Sequence, residues 1–126
     1  MAGSSTVRGL VINGFAGSSG GAGNAIVLND GGDNVIEGNF LGTDASGKAA
    51  LPNENNAIRI ESGSNVNLVG GTAPSARNVI SGNGNVALFV ATAGNVIQGN
   101  FIGTQRDGFS PLAISRGTLC GCQQRE

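Results

Sequence analysis

The sequence has no histidine, tryptophan or tyrosine, and charged residues make up only 12% of the chain. Histidine is the side chain that most often acts as a general acid or base near neutral pH, so its absence removes that route to catalysis. Seven basic residues are balanced by eight acidic ones, and they form no basic run. The composition therefore predicts neither histidine-based catalysis nor nucleic-acid binding.

Long apolar segments are missing as well. The longest apolar burst, Val86–Ala91, is far too short to span a bilayer, so we expect no membrane insertion. The first residues lack a charged segment followed by an apolar one, and they predict no export signal. The two cysteines, Cys120 and Cys122, cannot crosslink the body of the fold. Two ligands do not make a metal site, and we expect no metal and no cofactor.

Glycine and asparagine are abundant instead, with 23 and 15 copies. Such a composition can indicate disorder, but disordered chains contain few branched aliphatic residues. Here valine, isoleucine and leucine recur in short, evenly spaced bursts between glycine, asparagine and aspartate. This pattern predicts short β-strands joined by tight turns. It disfavours helices, because each interior glycine costs a helix about 1 kcal/mol.

A sequence repeat indicates the architecture. Residues 34–47 recur as residues 95–108 with nine of fourteen positions identical, at a constant offset of 61. Aliphatic bursts begin near Ala25, Ala57 and Val86, at a spacing of roughly 30 residues. The offset of 61 therefore corresponds to two units of roughly 30 residues, each with three bursts.

Three short strands per unit are the sequence pattern of a three-sided solenoid. One coil cannot bury its own apolar side, whereas coils stacked about 4.8 Å apart pair their strands in parallel and enclose a core. We predict an all-β fold, a right-handed parallel β-helix of about four coils over residues 1–115, followed by a non-repeat tail at residues 116–126. The predicted inward-facing residues are Ile26, Leu28, Ile36, Leu41, Ile58, Ile60, Val69, Ile80, Ile97 and Ile102.

Three details complete the prediction. The strand at residues 86–90 leaves two alternatives open, with either Val86, Leu88 and Val90 or Ala87 and Phe89 pointing inward. Leu10–Asn13 and Leu112–Ser115 are predicted as partial strands at opposite ends, as in a segment cut from a longer solenoid. Solenoid ends expose apolar surface and unpaired strand edges, so we expect the chain to pair with itself as a homodimer or higher oligomer. The alternative is that the tail at residues 116–126 folds over the C-terminal end and caps it.

The repeated asparagines have a predicted structural role. Tight corners need positive φ, which glycine adopts freely and asparagine tolerates. Asparagines at equivalent corners of successive coils can also form ladders of side-chain hydrogen bonds. Asn39 and Asn100 are the best candidates for such a ladder.

These residues resemble the bacterial right-handed parallel β-helix repeats of the pectin-lyase-like superfamily. Asn34–Gly47 is similar to the NxIxGNFIGTDxxG repeats of long secreted or surface-anchored proteins, and Asn95–Gly108 follows that pattern with Gln105 at the aspartate position. The resemblance covers about residues 7–112. It implies the fold and a secreted or cell-surface origin, and it leaves the function open because one fold carries many functions.

Enzymes of this superfamily use paired aspartates, or acidic calcium ligands with a basic proton acceptor, and the sequence contains no matching motif. Arg59 and Glu61 on one outward side, with Glu37 and Gln98 on the next, are the nearest approach to a binding site. A solvated surface is the simpler interpretation of these four residues. We therefore predict a non-catalytic structural or binding module. The alternative is a fragment that binds or acts on carbohydrate, with a polysaccharide as its partner.

Overall fold

The structure is a computed structural model that describes residues 3–17 and 22–114 and the backbone of residues 117–121. Twelve strands are described, and they form three parallel sheets of four strands each. Sheet A contains β1 (Thr6–Arg8), β4 (Val35–Glu37), β7 (Leu68–Gly70) and β10 (Val96–Gln98). Sheet B contains β2 (Val11–Ile12), β5 (Phe40–Leu41), β8 (Val79–Ile80) and β11 (Phe101–Ile102). Sheet C contains β3 (Ile26–Asn29), β6 (Ile58–Glu61), β9 (Val86–Val90) and β12 (Gly117–Gly121).

The strand order identifies the architecture. Within every sheet, each strand pairs with the strand three places further along the chain, as in the order β1-β4-β7-β10 of sheet A. Each coil therefore supplies one strand to each sheet, and all nine described ladders are parallel. The predicted all-β parallel β-helix of about four coils is confirmed.

The register explains the offset of 61 in the repeat. Ile36 of β4 and Ile97 of β10 both pair with Val69 of β7, which lies between them. Leu41 and Ile102 likewise both pair with Ile80 in sheet B. Equivalent positions of the repeat are thus two coils apart, as predicted.

The core runs along the axis of the coils. Nine of the ten predicted inward residues are buried, and Ile102 is half-buried. Ile102 lies on β11, the edge strand of sheet B in the described residues, so no strand covers its far side. In β9, Leu88 and Val90 point inward and pair with the core residues Ile58 and Ile60, whereas Val86 is buried but does not belong to the core cluster. Ala87 is also buried, whereas Phe89 is half-buried.

The corner between sheets A and B requires glycine. Gly99 has a φ of 71°, and a Cβ atom there would clash with the carbonyl oxygen of Gly71 in the preceding coil. A side chain would be strained by the backbone conformation and blocked by the close stacking of the coils. The glycine of the NVIxGN motif is therefore a condition for tight stacking.

One predicted strand is wrong. Residues 112–114 have no strand, and the next strand of sheet C after β9 is β12, whose residues 117–121 belong to the segment predicted as a non-repeat tail. Leu112 is instead the equivalent of Leu51: its N–H donates to Gly103 O at 2.8 Å, as the N–H of Leu51 does to Gly42 O at 2.9 Å. Both bonds close a loop before the chain reaches sheet C. Ser115 and Cys122 lie outside the described residues, and so does the predicted boundary between residues 115 and 116.

β1 was not predicted as a strand. Thr6, Val7 and Arg8 pair with Val35, Ile36 and Glu37, so the first coil begins in sheet A rather than in sheet B. Val11 and Ile12 pair with Phe40 and Leu41, in agreement with the strand predicted at Leu10–Asn13. The described part of the chain holds no helix with the length and hydropathy that a membrane crossing requires.

Candidate functional site

The four charged and polar residues predicted as a weak binding site are divided between two sheets. Arg59 and Glu61 lie on β6 of sheet C, where they form an ion pair of 2.8 Å, and the Arg59 guanidinium carbon is 5.1 Å from the centre of the Phe89 ring. Each partner therefore already has a neighbour of complementary chemistry. Ion pairs at a protein surface typically contribute about 0–1 kcal/mol to stability.

Glu37 and Gln98 lie on sheet A. Glu37 on β4 pairs with Arg8 at 3.5 Å, and Gln98 on β10 is in register with Gly70 of the intervening strand. Two strand spacings, about 9.6 Å, separate β4 from β10. The structure thus places the four residues on two different sides of the solenoid and does not gather them into one site.

The asparagines form ladders inside the corners. Asn39 Nδ2 donates to Asn78 Oδ1 at 3.1 Å, and Asn78 Nδ2 donates to Asn100 Oδ1 at 2.9 Å. Asn39 and Asn100, the two predicted members, are the outer rungs, and Asn78 is the rung between them. Asn39 and Asn78 are fully buried. This ladder lies at the corner between sheets A and B.

Similar ladders run along two other corners. Asn34 Nδ2 donates to Asn67 Oδ1 at 2.8 Å, and Asn67 Nδ2 donates to Asn95 Oδ1 at 2.8 Å. Asn53 Nδ2 donates to Asn83 Oδ1 at 2.9 Å. In these ladders the backbone N–H of one coil also donates to the Oδ1 of the next coil. Buried polar groups need such partners, and here the partners come from the neighbouring coil.

Two aspartates form turns. Asp44 and Asp107 occupy short hairpins closed by the bridges Thr43–Ala50 and Thr104–Pro111. The hydrogen bond from the Ser46 hydroxyl lowers the pKa of Asp44, and the hydrogen bond from the Ser110 hydroxyl lowers the pKa of Asp107. Backbone N–H groups of each hairpin add further hydrogen bonds. Both carboxylates therefore stabilise their own turns.

A cavity lies on the outer side of sheet B, where the sequence predicted no site. Phe40, Val79 and Phe101 are in register across β5, β8 and β11, and they form its floor. Arg77 and Arg106 line the same cavity together with Pro74, and its volume is about 170 Å³.

Both arginines of this cavity stack on its phenylalanines. The guanidinium carbon of Arg77 is 4.2 Å from the centre of the Phe101 ring, and that of Arg106 is 6.0 Å from the centre of the Phe40 ring. Arg77 Nε donates to Gly99 O at 2.9 Å. Among the described residues, no carboxylate oxygen lies within 4.0 Å of either guanidinium. Within that part of the chain, the cavity therefore carries two positive charges without a neighbouring carboxylate.

The cavity is formed by connections between strands whose lengths differ from one coil to the next. Between sheets A and B, the third coil has an eight-residue connection, residues 71–78, which contains the 3₁₀ turn Pro74–Ala76 and Arg77. Between sheets B and C, the third coil has only residues 81–85, so the hairpins of the second and fourth coils meet across it. The Arg106 N–H donates to Gly47 O at 2.8 Å, which brings Arg106 toward Phe40.

A sequence signal for the floor of the cavity exists. Phe40 and Phe101 occupy equivalent positions of the repeat and directly precede inward residues, so the repeat could have identified them as an outward pair. Arg77 and Arg106 occupy no equivalent positions in the repeat, and their approach depends on loop conformations. Only the structure reveals that they share a cavity.

Within the described residues, no group of three or more cysteine or carboxylate side chains could hold a metal ion. Comparisons of the chain with known protein families, curated proteins and solved structures gave no match. The parallel stack of strands is established by the structure itself, and the resemblance to the pectin-lyase-like superfamily rests on the repeat motif alone.

Proposed function

We propose that this chain is a non-catalytic structural β-helix module of a bacterial surface or secreted protein, related to the pectin-lyase-like superfamily. The observation that carries this proposal is the set of buried asparagine ladders at three corners of successive coils. Each ladder ties one coil to the next by the same contact, so the unit can be repeated along the axis. This arrangement suits a stiff scaffold of adjustable length.

The hydrogen bonds and ion pairs that the carboxylates form support the same proposal. Asp44 and Asp107 accept hydrogen bonds within their own turns, Glu37 and Glu61 pair with arginines, and Glu54 Oε2 accepts the Gly17 N–H at 2.7 Å. Glycoside hydrolysis usually requires two carboxylates that lie on either side of one bond, about 5–9.5 Å apart. These five acids instead have structural partners at separate places on the surface.

A lengthened protein tests the scaffold. A second copy of residues 34–94 inserted between Gly94 and Asn95 keeps every junction in phase, because Asn34 and Asn95 are equivalent. Solenoid stability is approximately a sum over units and their interfaces, so the longer protein should fold and unfold cooperatively. Its denaturant m-value should rise by about half, in proportion to the added chain.

A copy of residues 49–94 at the same place provides the control, since it begins about half a coil out of phase. We expect this variant to lose cooperative unfolding, because its asparagines no longer meet those of the next coil. An in-phase insertion that fails to fold, or an out-of-phase insertion that is equally stable, would contradict the proposed scaffold.

A further inference from the structure

We propose that the cavity formed by Phe40, Val79, Phe101, Arg77 and Arg106 binds a small organic carboxylate. This site lies on the outer side of sheet B, beside the corner that holds the Asn39–Asn78–Asn100 ladder, and it gives the scaffold a ligand-binding function. Three features support this proposal: the charge of the cavity, the fixed position of Arg77, and the size of the cavity.

The charge of the cavity is uncompensated in the described part of the chain. Arg59 provides the internal comparison, since it also stacks on a phenylalanine but has Glu61 at 2.8 Å. Arg77 and Arg106 have stacking partners of the same kind and, among the residues described, no carboxylate within 4.0 Å. An anion from solution can therefore occupy the position that Glu61 has beside Arg59.

Asp107 directly follows Arg106 in the chain and could be expected to neutralise it. Its carboxylate accepts hydrogen bonds from the Ser110 hydroxyl at 2.6 Å and from the N–H groups of Phe109 and Ser110 at 2.8 and 2.9 Å. These bonds direct the carboxylate into the hairpin. Arg106 is thereby left available to a ligand.

The donors of Arg77 are held in place before any ligand binds. One side of its guanidinium is fixed by the bond from Nε to Gly99 O at 2.9 Å, and the ring of Phe101 lies 4.2 Å away. The two terminal amino groups remain as a planar pair of donors, which matches the two oxygens of a carboxylate. A group held in its bound position loses less conformational entropy when the ligand arrives.

The size and the lining of the cavity limit the ligand. A volume of about 170 Å³ is smaller than the roughly 300–1,000 Å³ of sites that enclose drug-sized molecules. The floor is apolar, with Phe40, Val79 and Phe101 in register. A carboxylate on a short aliphatic stem fits both features, and a dicarboxylate can contact both arginines.

Succinate is a suitable probe. In an NMR titration of the full chain labelled with ¹⁵N, at constant ionic strength set by sodium chloride, succinate should shift the Nε–H signals of Arg77 and Arg106 and the amide signals around them. Because Arg106 is exposed, we expect an apparent Kd of about a millimolar. Succinamide, a neutral analogue of the same shape, should produce no saturable shift.

Arg77→Gln and Arg106→Gln should each weaken succinate binding by about threefold or more, and the double variant should abolish it. Arg8→Gln removes the same charge from sheet A, where Arg8 is 63% exposed and pairs with Glu37, and it should leave the affinity unchanged. Arg106 is the more exposed of the two, so its variant tests the site even if Arg77→Gln lowers stability. Shifts that saturate equally with succinamide, or affinity that is unchanged from the parent in both glutamine variants, would overturn the proposal.

Discussion

Asn78 is the residue whose removal should reveal how strongly the ladders hold the coils together. Its Oδ1 accepts hydrogen bonds from the N–H and the Nδ2 of Asn39 at 3.0 and 3.1 Å. Its Nδ2 donates to Ile36 O and to Asn100 Oδ1, both at 2.9 Å. One buried side chain thus connects three successive coils through four hydrogen bonds.

Asn78→Ala should therefore be strongly destabilising. The Asn39 N–H loses its acceptor and Ile36 O loses a donor, and water cannot replace them because the corner is buried. Each buried group left without a partner costs about 1–3 kcal/mol, so the loss of partners for these two groups should lower the free energy of unfolding by about 2–6 kcal/mol. That is a large part of the roughly 5–15 kcal/mol that typically stabilises a domain.

Urea unfolding followed by far-ultraviolet circular dichroism measures this change, since the chain has no tryptophan or tyrosine for fluorescence. With an m-value of about 1–3 kcal/mol per molar, the midpoint should fall by roughly 2 M at an unchanged m-value. Asn65→Ala is the matched control: Asn65 is exposed, and its Oδ1 accepts the Ala93 N–H at 3.3 Å. If the two alanine variants differed by less than about 0.5 kcal/mol, the ladder would not be a source of stability.

Three further predictions concern catalysis, assembly and pH. Incubation with polygalacturonate and other acidic glycans, with and without calcium, should release no unsaturated or reducing ends, and turnover lost in Arg59→Ala or Glu61→Ala would refute this. The chain should sediment at micromolar concentration as a dimer or larger species, whereas a monomer of 12.4 kDa would exclude association through the solenoid ends. Hydrogen bonds from Ser46 and Ser110 lower the pKa values of Asp44 and Asp107. The stabilisation that these two carboxylates give to the folded state is therefore present above the ordinary pKa of 3.8, and it is lost as the pH falls through the lowered pKa values. Urea midpoints measured between pH 7 and pH 2 should therefore fall less steeply below about pH 4 in Asp44→Asn than in the parent, and equal slopes would contradict the turn assignment.

The sequence predicted the features that repeat. The copy of residues 34–47 at residues 95–108 identified the two-coil offset, and the alternation of each burst identified the inward residues. These signals are strong because stacking forces equivalent residues of successive coils into the same environment. Strand β9 shows the limit of these signals: all five of its residues are apolar, so only the register with Ile58 and Ile60 settles that Leu88 and Val90 point inward.

Features that do not repeat were harder to predict. Leu112 lies in an apolar run that resembles a strand, and its true role as the partner of Gly103 follows only from its equivalence to Leu51. The cavity depends on the lengths of two connections and on the hydrogen bond between the Arg106 N–H and Gly47 O. Loop conformations of this kind are set by tertiary contacts, which a pattern of single residues does not contain.

Two roles are proposed for this chain, a structural scaffold and a carboxylate-binding site. Residues that follow the sequence repeat belong to the scaffold, whereas the two arginines of the cavity depart from the repeat. Phe40 and Phe101, like the ladder asparagines Asn34 and Asn95, are equivalent positions of the repeat, as expected of residues required for the stacking of coils. Arg106 corresponds at the same offset to Ala45. Arg77 lies in the eight-residue connection of the third coil, whereas the second and fourth coils have only residues 38–39 and 99–100 at that place, so neither guanidinium is required by the repeat. A fold that needed these arginines would be expected to place them in equivalent coils, as it does the asparagines. Among the described residues, no carboxylate compensates their charge above the repeated aromatic floor, which is better explained by a ligand than by the stability of the solenoid.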